Sequence, residues 1–124
     1  MINRLTDSLN FQTEALVLRA ERQRMIASNI ANADTPGYVA RDFDFAKALR
    51  EATSTGTASD ASRRSGAILR YAAPAQTNLD GNSVDMDRER ASFADNAVKY
   101  ESTLRFINGS VRTMLDAMKS HTAG

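Results

Sequence analysis

Between residues 3 and 31 apolar and polar positions recur at a helical period, with no Gly or Pro and an excess of Ala, Leu, Arg, Glu, Gln and Met. These residue types favour helix, and the stretch is predicted as one long helix. One stripe runs Ile2, Leu5, Leu9, Gln12, Leu16, Arg19, Gln23, Ile26 and Ile30, with its polar members at the middle. A second stripe, Phe11, Ala15, Leu18, Arg22 and Met25, lies about 200–240° around the helix, at about 100° per residue. A helix apolar on two separated faces requires more than one packing partner.

The helix is predicted to stop within Ser28-Asn29-Ile30-Ala31-Asn32-Ala33-Asp34-Thr35-Pro36-Gly37-Tyr38. Asn32 suits a left-handed cap, and Pro36 removes a backbone donor. Thr35-Pro36-Gly37-Tyr38 fits a type II turn, because Pro fixes φ at the second position and Gly accepts positive φ at the third. Beyond it, Phe43, Phe45, Ala46, Leu49 and Ala52 fit either a helix of about two turns or an extended stretch starting at Tyr38. Residues 53–66 contain no bulky apolar side chain. Nothing there offsets the entropy of ordering the backbone, so a flexible loop is expected. Ile68, Leu69 and Tyr71 within 67–73 suit a strand or a packed arm, with turn chemistry following at Pro74 and Asp80-Gly81-Asn82.

From about Asp85 to Lys119 the positions Met86, Arg90, Phe93, Ala97, Tyr100, Leu104, Ile107, Val111, Met114 and Met118 alternate four and three, and only Arg90 is polar. This register predicts a coiled-coil helix of about 33 residues, roughly 50 Å long. Asp85 or Asp87 suits its N-cap. Gly109 costs about 1 kcal/mol relative to Ala in a helix, but the register continues across it. The expected fold is mainly α: two long coiled-coil helices packed antiparallel, with a partly irregular, flexible middle. Three zones follow: 1–34, 35–84 and 85–124.

Composition sharpens this reading. Apolar residues make up 42% of the 124, but Leu, Ile, Val and Phe together number 24, about 19% of the chain and just under the level that supports a comfortable core. The net charge of +1 argues against outright disorder and against general nucleic-acid affinity. Helices whose burial is incomplete within one chain are therefore expected. Cysteine is absent, which excludes disulfides and thiolate chemistry. The N-terminal residues lack the apolar run of a secretory signal, and no apolar run is long enough for a membrane span.

Catalytic chemistry finds little support. His121 stands alone near the C-terminus, where chains fray. Asp80, Asp85, Asp87 and Glu89 lack the spacing of a calcium loop and read as capping residues. Arg19, Arg22, Arg24 and Arg41 are interleaved with Glu14 and Glu21 and fit a solvated or interchain ion-paired face. Asp34, Asp42 and Asp44 read as cap and loop residues. No catalytic, metal-binding or cofactor-binding set emerges. A self-associating structural subunit explains the unpartnered stripes better than an enzyme does, and a small helical adaptor or export-chaperone-like binding module is the alternative.

Three blocks carry a family resemblance. The first is Ala27–Tyr38, above all Asn29, Asn32, Thr35, Pro36, Gly37 and Tyr38, with Phe11-Gln12-Thr13-Glu14-Ala15-Leu16 and Arg22-Gln23 ahead of it. The second is Tyr38–Phe45, and the third runs from Leu79 to Glu89 with Phe93-Ala94-Asp95-Asn96 and Lys99-Tyr100 after it. In these blocks the chain resembles the axial proteins of the bacterial flagellum, and among them its rod proteins. Residues 53–73 depart from that pattern.

The resemblance implies a polymerising subunit of the proximal rod, which crosses the periplasm, with the terminal helices forming an inner tube. It implies export through the flagellar export apparatus without a cleaved signal. The neighbours implied are further copies of itself, the rod–ring adaptor FliE and the proximal-rod proteins FlgC and FlgF. The expected helix packing docks Phe93, Ala97, Tyr100, Leu104, Ile107, Val111, Met114 and Met118 on Leu5, Leu9, Leu16, Ile26 and Ile30, and buries the remaining faces between subunits.

Overall fold

The computed structural model describes residues 2–53, 72–74 and 84–123, with backbone alone for 2–3, 72–74 and 121–123. The loop expected at 53–66 lies outside the described residues apart from Thr53, and Ile68, Leu69 and Tyr71 lie outside them entirely.

Helix α1 spans Ile2–Ala31, 30 residues or about 45 Å. Strand β1, Arg41–Phe43, and helix α2, Phe45–Ala52, follow. The two alternatives for this stretch are thus both used in succession. Asp44 separates them by capping α2, its side chain accepting the Lys47 N–H at 3.1 Å. Strand β2, Ala72–Pro74, pairs antiparallel with β1, Phe43 opposite Ala72 and Arg41 opposite Pro74. Helix α3 then runs Met86–Ala123, 38 residues without a break at Gly109. Asp85 rather than Asp87 caps it, accepting the Arg88 N–H at 3.3 Å. The helix also continues past Lys119, so the backbone at His121 is helical where fraying was expected.

Helices α1 and α3 pack antiparallel. Asn29 meets Glu89 near the turn, and farther along Arg19 and Gln23 meet Asn96, so numbers fall on one helix as they rise on the other. The apolar core, however, lies to one side of this pair. Leu18, Phe43, Ala48 and Ala52 form it, with Met25, Phe45 and Leu49 packed against them. The second stripe of α1 is therefore covered from Leu18 to Met25 by β1 and α2 of the same chain, which corrects the expectation that this face waits for another subunit. Leu18 is fully buried, a contribution of about 1.5–3 kcal/mol for a side chain of this type. Only its first member, Phe11, remains 44% exposed.

Candidate functional site

The motif between α1 and β1 folds around one side chain. Asn29, on the last turn of α1, is 1% exposed, so its amide needs partners within the protein. Its Oδ1 accepts the Arg41 N–H at 3.0 Å and the Tyr38 hydroxyl at 3.1 Å. Its Nδ2 donates to the Arg41 carbonyl at 2.8 Å and to Glu89 Oε2 at 3.3 Å. A side-chain amide offers two donors and two acceptor sites, and all four are used. The Tyr38 hydroxyl, having given its proton to Asn29, accepts from Ser28 at 3.2 Å. One amide thus ties α1 to the turn, to β1 and to the start of α3.

The remaining motif residues shape the path into that node. The Tyr38 N–H donates to the Thr35 carbonyl at 3.2 Å, and Gly37 has φ +75, which completes the expected type II turn over Pro36. Asn32 acts differently from expectation. No described non-glycine residue has positive φ, so Asn32 is not a left-handed cap. Instead its Nδ2 turns back to the Ser28 carbonyl at 2.9 Å, and its Oδ1 accepts from Thr35 Oγ1 at 3.1 Å. Helix α1 therefore ends in side-chain and i+3 backbone bonds, with Thr35 N–H on the Asn32 carbonyl at 3.0 Å.

A second polar cluster occupies the middle of the helix pair. Asn96 is completely buried and donates to the Arg19 carbonyl at 2.9 Å and to Gln23 Oε1 at 2.7 Å. Gln23 in turn donates to the Phe93 carbonyl at 3.3 Å. The Arg19 guanidinium stacks on the Phe45 ring at 4.1 Å, joining α1 to α2. Desolvation of Arg19 by burial lowers its pKa, the positive charge of Arg22 lowers it further, and Asp95 opposes both. Its Nε and the Asn96 Oδ1 are buried without hydrogen-bond partners, a donor and an acceptor at the same helix contact.

These contacts redraw the expected seam. The most buried positions of α3 are Asn96 and Thr103, neither of which belongs to the apolar register. Ala97, Tyr100, Leu104, Ile107 and Met114 flank that line and are half-buried. Phe93, Val111 and Met118 are exposed, Met118 by 60%. On α1, Ile26 is buried, Leu9, Leu16 and Ile30 are half-buried, and Leu5 is exposed. The physical reason lies on α1: the stripe facing α3 is polar at Arg19 and Gln23, so α3 turns Asn96 toward it, and the apolar register swings partly outward. Sequence reasoning missed Asn96 because a heptad count scores apolar residues only.

The arginines also find partners. Arg22 forms a two-point pair with Asp42, Nε to Oδ1 at 3.0 Å and an Nη to Oδ2 at 3.1 Å. Asp42 is thus part of β1's docking on α1, rather than a loop residue, and the pair lies within one chain. Arg24 pairs with Glu21 on the exposed face. Among the described residues no three His, Asp or Glu side chains converge as a metal site. None of the described helices is long and apolar enough to cross a membrane.

The described residues thus form a long antiparallel helix pair with a turn locked by Asn29 and apolar side chains left exposed. The profile of the flagella basal body rod protein family matches residues 9–38, within α1 and the turn. The flagellar basal body rod protein FlgB of Escherichia coli K12 is 45% identical, the match covering 97% of this chain and 99% of that one. The FlgB of Proteus mirabilis HI4320 is 44% identical over 96% of this chain, and that of Buchnera aphidicola from Acyrthosiphon pisum 36% over 96%, with 98% and 99% of those chains covered. The chain belongs to the FlgB family of flagellar basal body rod proteins. It is a structural subunit of the flagellar basal body rod and assembles with other flagellar proteins.

Proposed function

We propose that the subunit polymerises through its terminal helices, zones 1–34 and 85–124, to form part of the shaft that crosses the periplasm, while zone 35–84 decorates the outside of that shaft. The observation that carries this reading is the distribution of apolar residues on α3: Phe93, Phe106, Val111, Leu115 and Met118 are exposed, while Asn96 and Thr103 take the interior. A helix 38 residues long that packs on α1 by one face and turns apolar side chains outward on others is stabilised further when neighbours cover them. Leu5, Leu9, Leu16, Ile26 and Ile30 of α1 and Ala97, Tyr100, Leu104, Ile107 and Met114 of α3 supply the remaining packing positions. Asn29, Asn32, Thr35, Pro36, Gly37 and Tyr38 hold the helix end that this packing requires.

Its immediate neighbours are further copies of itself, FliE, FlgC and FlgF, and it reaches them through the flagellar export apparatus without a cleaved signal. Partial order before assembly suits passage through a narrow channel. The test is to replace Leu104 or Ile107 by Asp in a motile strain and follow a tagged chain into purified basal bodies. A charge at either half-buried position is expected to block incorporation and motility while the chain is still secreted. Normal motility in both strains would sink the reading. Cross-linking of the tagged chain in basal bodies then identifies the adjoining proteins, and an absence of FliE, FlgC and FlgF among them would reject those neighbours.

A further inference from the structure

Two faces of α3 compete for α1, and the more polar one is buried. At about 100° per residue, the apolar line from Phe93 through Leu104 and Val111 to Met118 is centred about 50° around the helix from Asn96. Asn96 and Thr103 are buried, while Phe93, Val111 and Met118 are exposed by 39%, 41% and 60%. Turning α3 through that angle would lay the apolar line on α1, cover those three side chains and return Asn96 toward water. Apolar burial and the desolvation of an amide both favour the turned arrangement.

A pair of amides opposes it. Asn96 donates to the Arg19 carbonyl at 2.9 Å and to Gln23 Oε1 at 2.7 Å, and Gln23 donates to the Phe93 carbonyl at 3.3 Å. Each of these bonds runs from one helix to the other, so turning α3 breaks them. Thr103 offers no such resistance, because its hydroxyl donates to the Lys99 carbonyl within α3 at 2.9 Å. Asp95, next to Asn96, acts with the amides through its attraction for Arg19, and the turn that brings Phe93 inward carries Asp95 away. The observed arrangement also leaves Asn96 Oδ1 and Arg19 Nε buried without hydrogen-bond partners. Unpaired buried groups of this kind weaken a helix contact.

We propose that Asn96 and Gln23 form a rotational key: they choose which face of α3 lies on α1 and hold the apolar line outside, at a cost in stability to the single chain. Buried polar residues in helix pairs have this use, selecting one arrangement against a more apolar competitor. The competitor here is the seam that apolar periodicity alone predicts, with Leu5, Leu9 and Leu16 as its partners on α1. The key is needed because the two faces are separated by so small a rotation.

The test uses the purified full chain, in which the absence of cysteine lets introduced thiols report without background. Thr103→Cys reports on the buried line and Val111→Cys on the apolar one, each in a separate chain. With Asn96 and Gln23 in place, the thiol at 103 is expected to react with a maleimide more slowly than the thiol at 111. In Gln23→Leu/Asn96→Leu the order is expected to reverse, with a thermal midpoint equal to or above that of the parent. Should the Leu pair lower the midpoint, Gln23→Met/Asn96→Met takes its place. A midpoint lowered in both overturns the proposal, since the amides would then hold the helices together rather than choose between faces. An unchanged order of reactivity also overturns it, because packing alone would set the rotation. Equal rates at 103 and 111 in the parent do the same, because no face is then being selected. All of these measurements concern the unassembled chain, so their outcome is independent of the assembly proposed above.

Discussion

The side-chain amide of Asn29 brackets the backbone of Arg41, accepting its N–H at 3.0 Å and donating to its carbonyl at 2.8 Å. This is the hydrogen-bond exchange of a β-bridge with a side chain in place of the second strand. It lets a strand start directly against the end of a helix.

Replacing Asn29 by Asp keeps the shape and removes both donors. The Arg41 carbonyl loses its side-chain donor, and two carboxylates meet where Asn29 now donates to Glu89. The expected loss is about 2–4 kcal/mol, measured by urea unfolding followed by circular dichroism. Adding Glu89→Gln should recover part of it, because the new amide can donate to the Asp. An unchanged midpoint for the single variant would show that the node does not hold the turn.

Gly37 has φ +75, and a Cβ placed on it would meet nothing within 4 Å. Gly37→Ala therefore costs backbone strain alone, about 1–2 kcal/mol. Gly37→Asn should cost less, since Asn tolerates that conformation. Equal unfolding midpoints for Ala and Asn would mean that the turn has rearranged.

Arg22 and Asp42 meet by two hydrogen bonds, with side chains exposed by 21% and 43%. Solvent screens the exposed carboxylate, so a double-mutant cycle with Arg22→Gln and Asp42→Asn should give a coupling of only about 0.5–1 kcal/mol. It should shrink further in high salt. A coupling that ignores salt would mean that packing of the Arg22 stem on β1 dominates.

Gly109 sits inside α3 with open space at its Cβ. In the unassembled chain Gly109→Ala is expected to stabilise the helix by up to about 1 kcal/mol. Heat denaturation of the purified protein reads this directly. A lower midpoint would show that the glycine is needed within the chain rather than by a neighbour.

What was legible in the sequence had local causes. Helix propensity and the absence of Gly and Pro marked α1, and Pro36-Gly37 marked the turn. A four-and-three alternation marked α3, and Asp44 and Asp85 stood where caps were required. The motif asparagine at 29 could be singled out as well, although its main partner could not. Arg41 contributes its backbone, which every residue possesses, so no residue type advertises the contact.

The sequence by itself determined the two long helices, the turn after the first, and the shortage of large apolar side chains. Tertiary structure decided how those elements face one another. It closed α2 over Leu18, a partner too distant along the chain for periodicity to assign, and it turned Asn96 rather than Phe93 toward α1. A stripe states which residues avoid water. Which of two stripes is buried depends on hydrogen bonds offered by the opposing helix, and those exist only once the two helices have met.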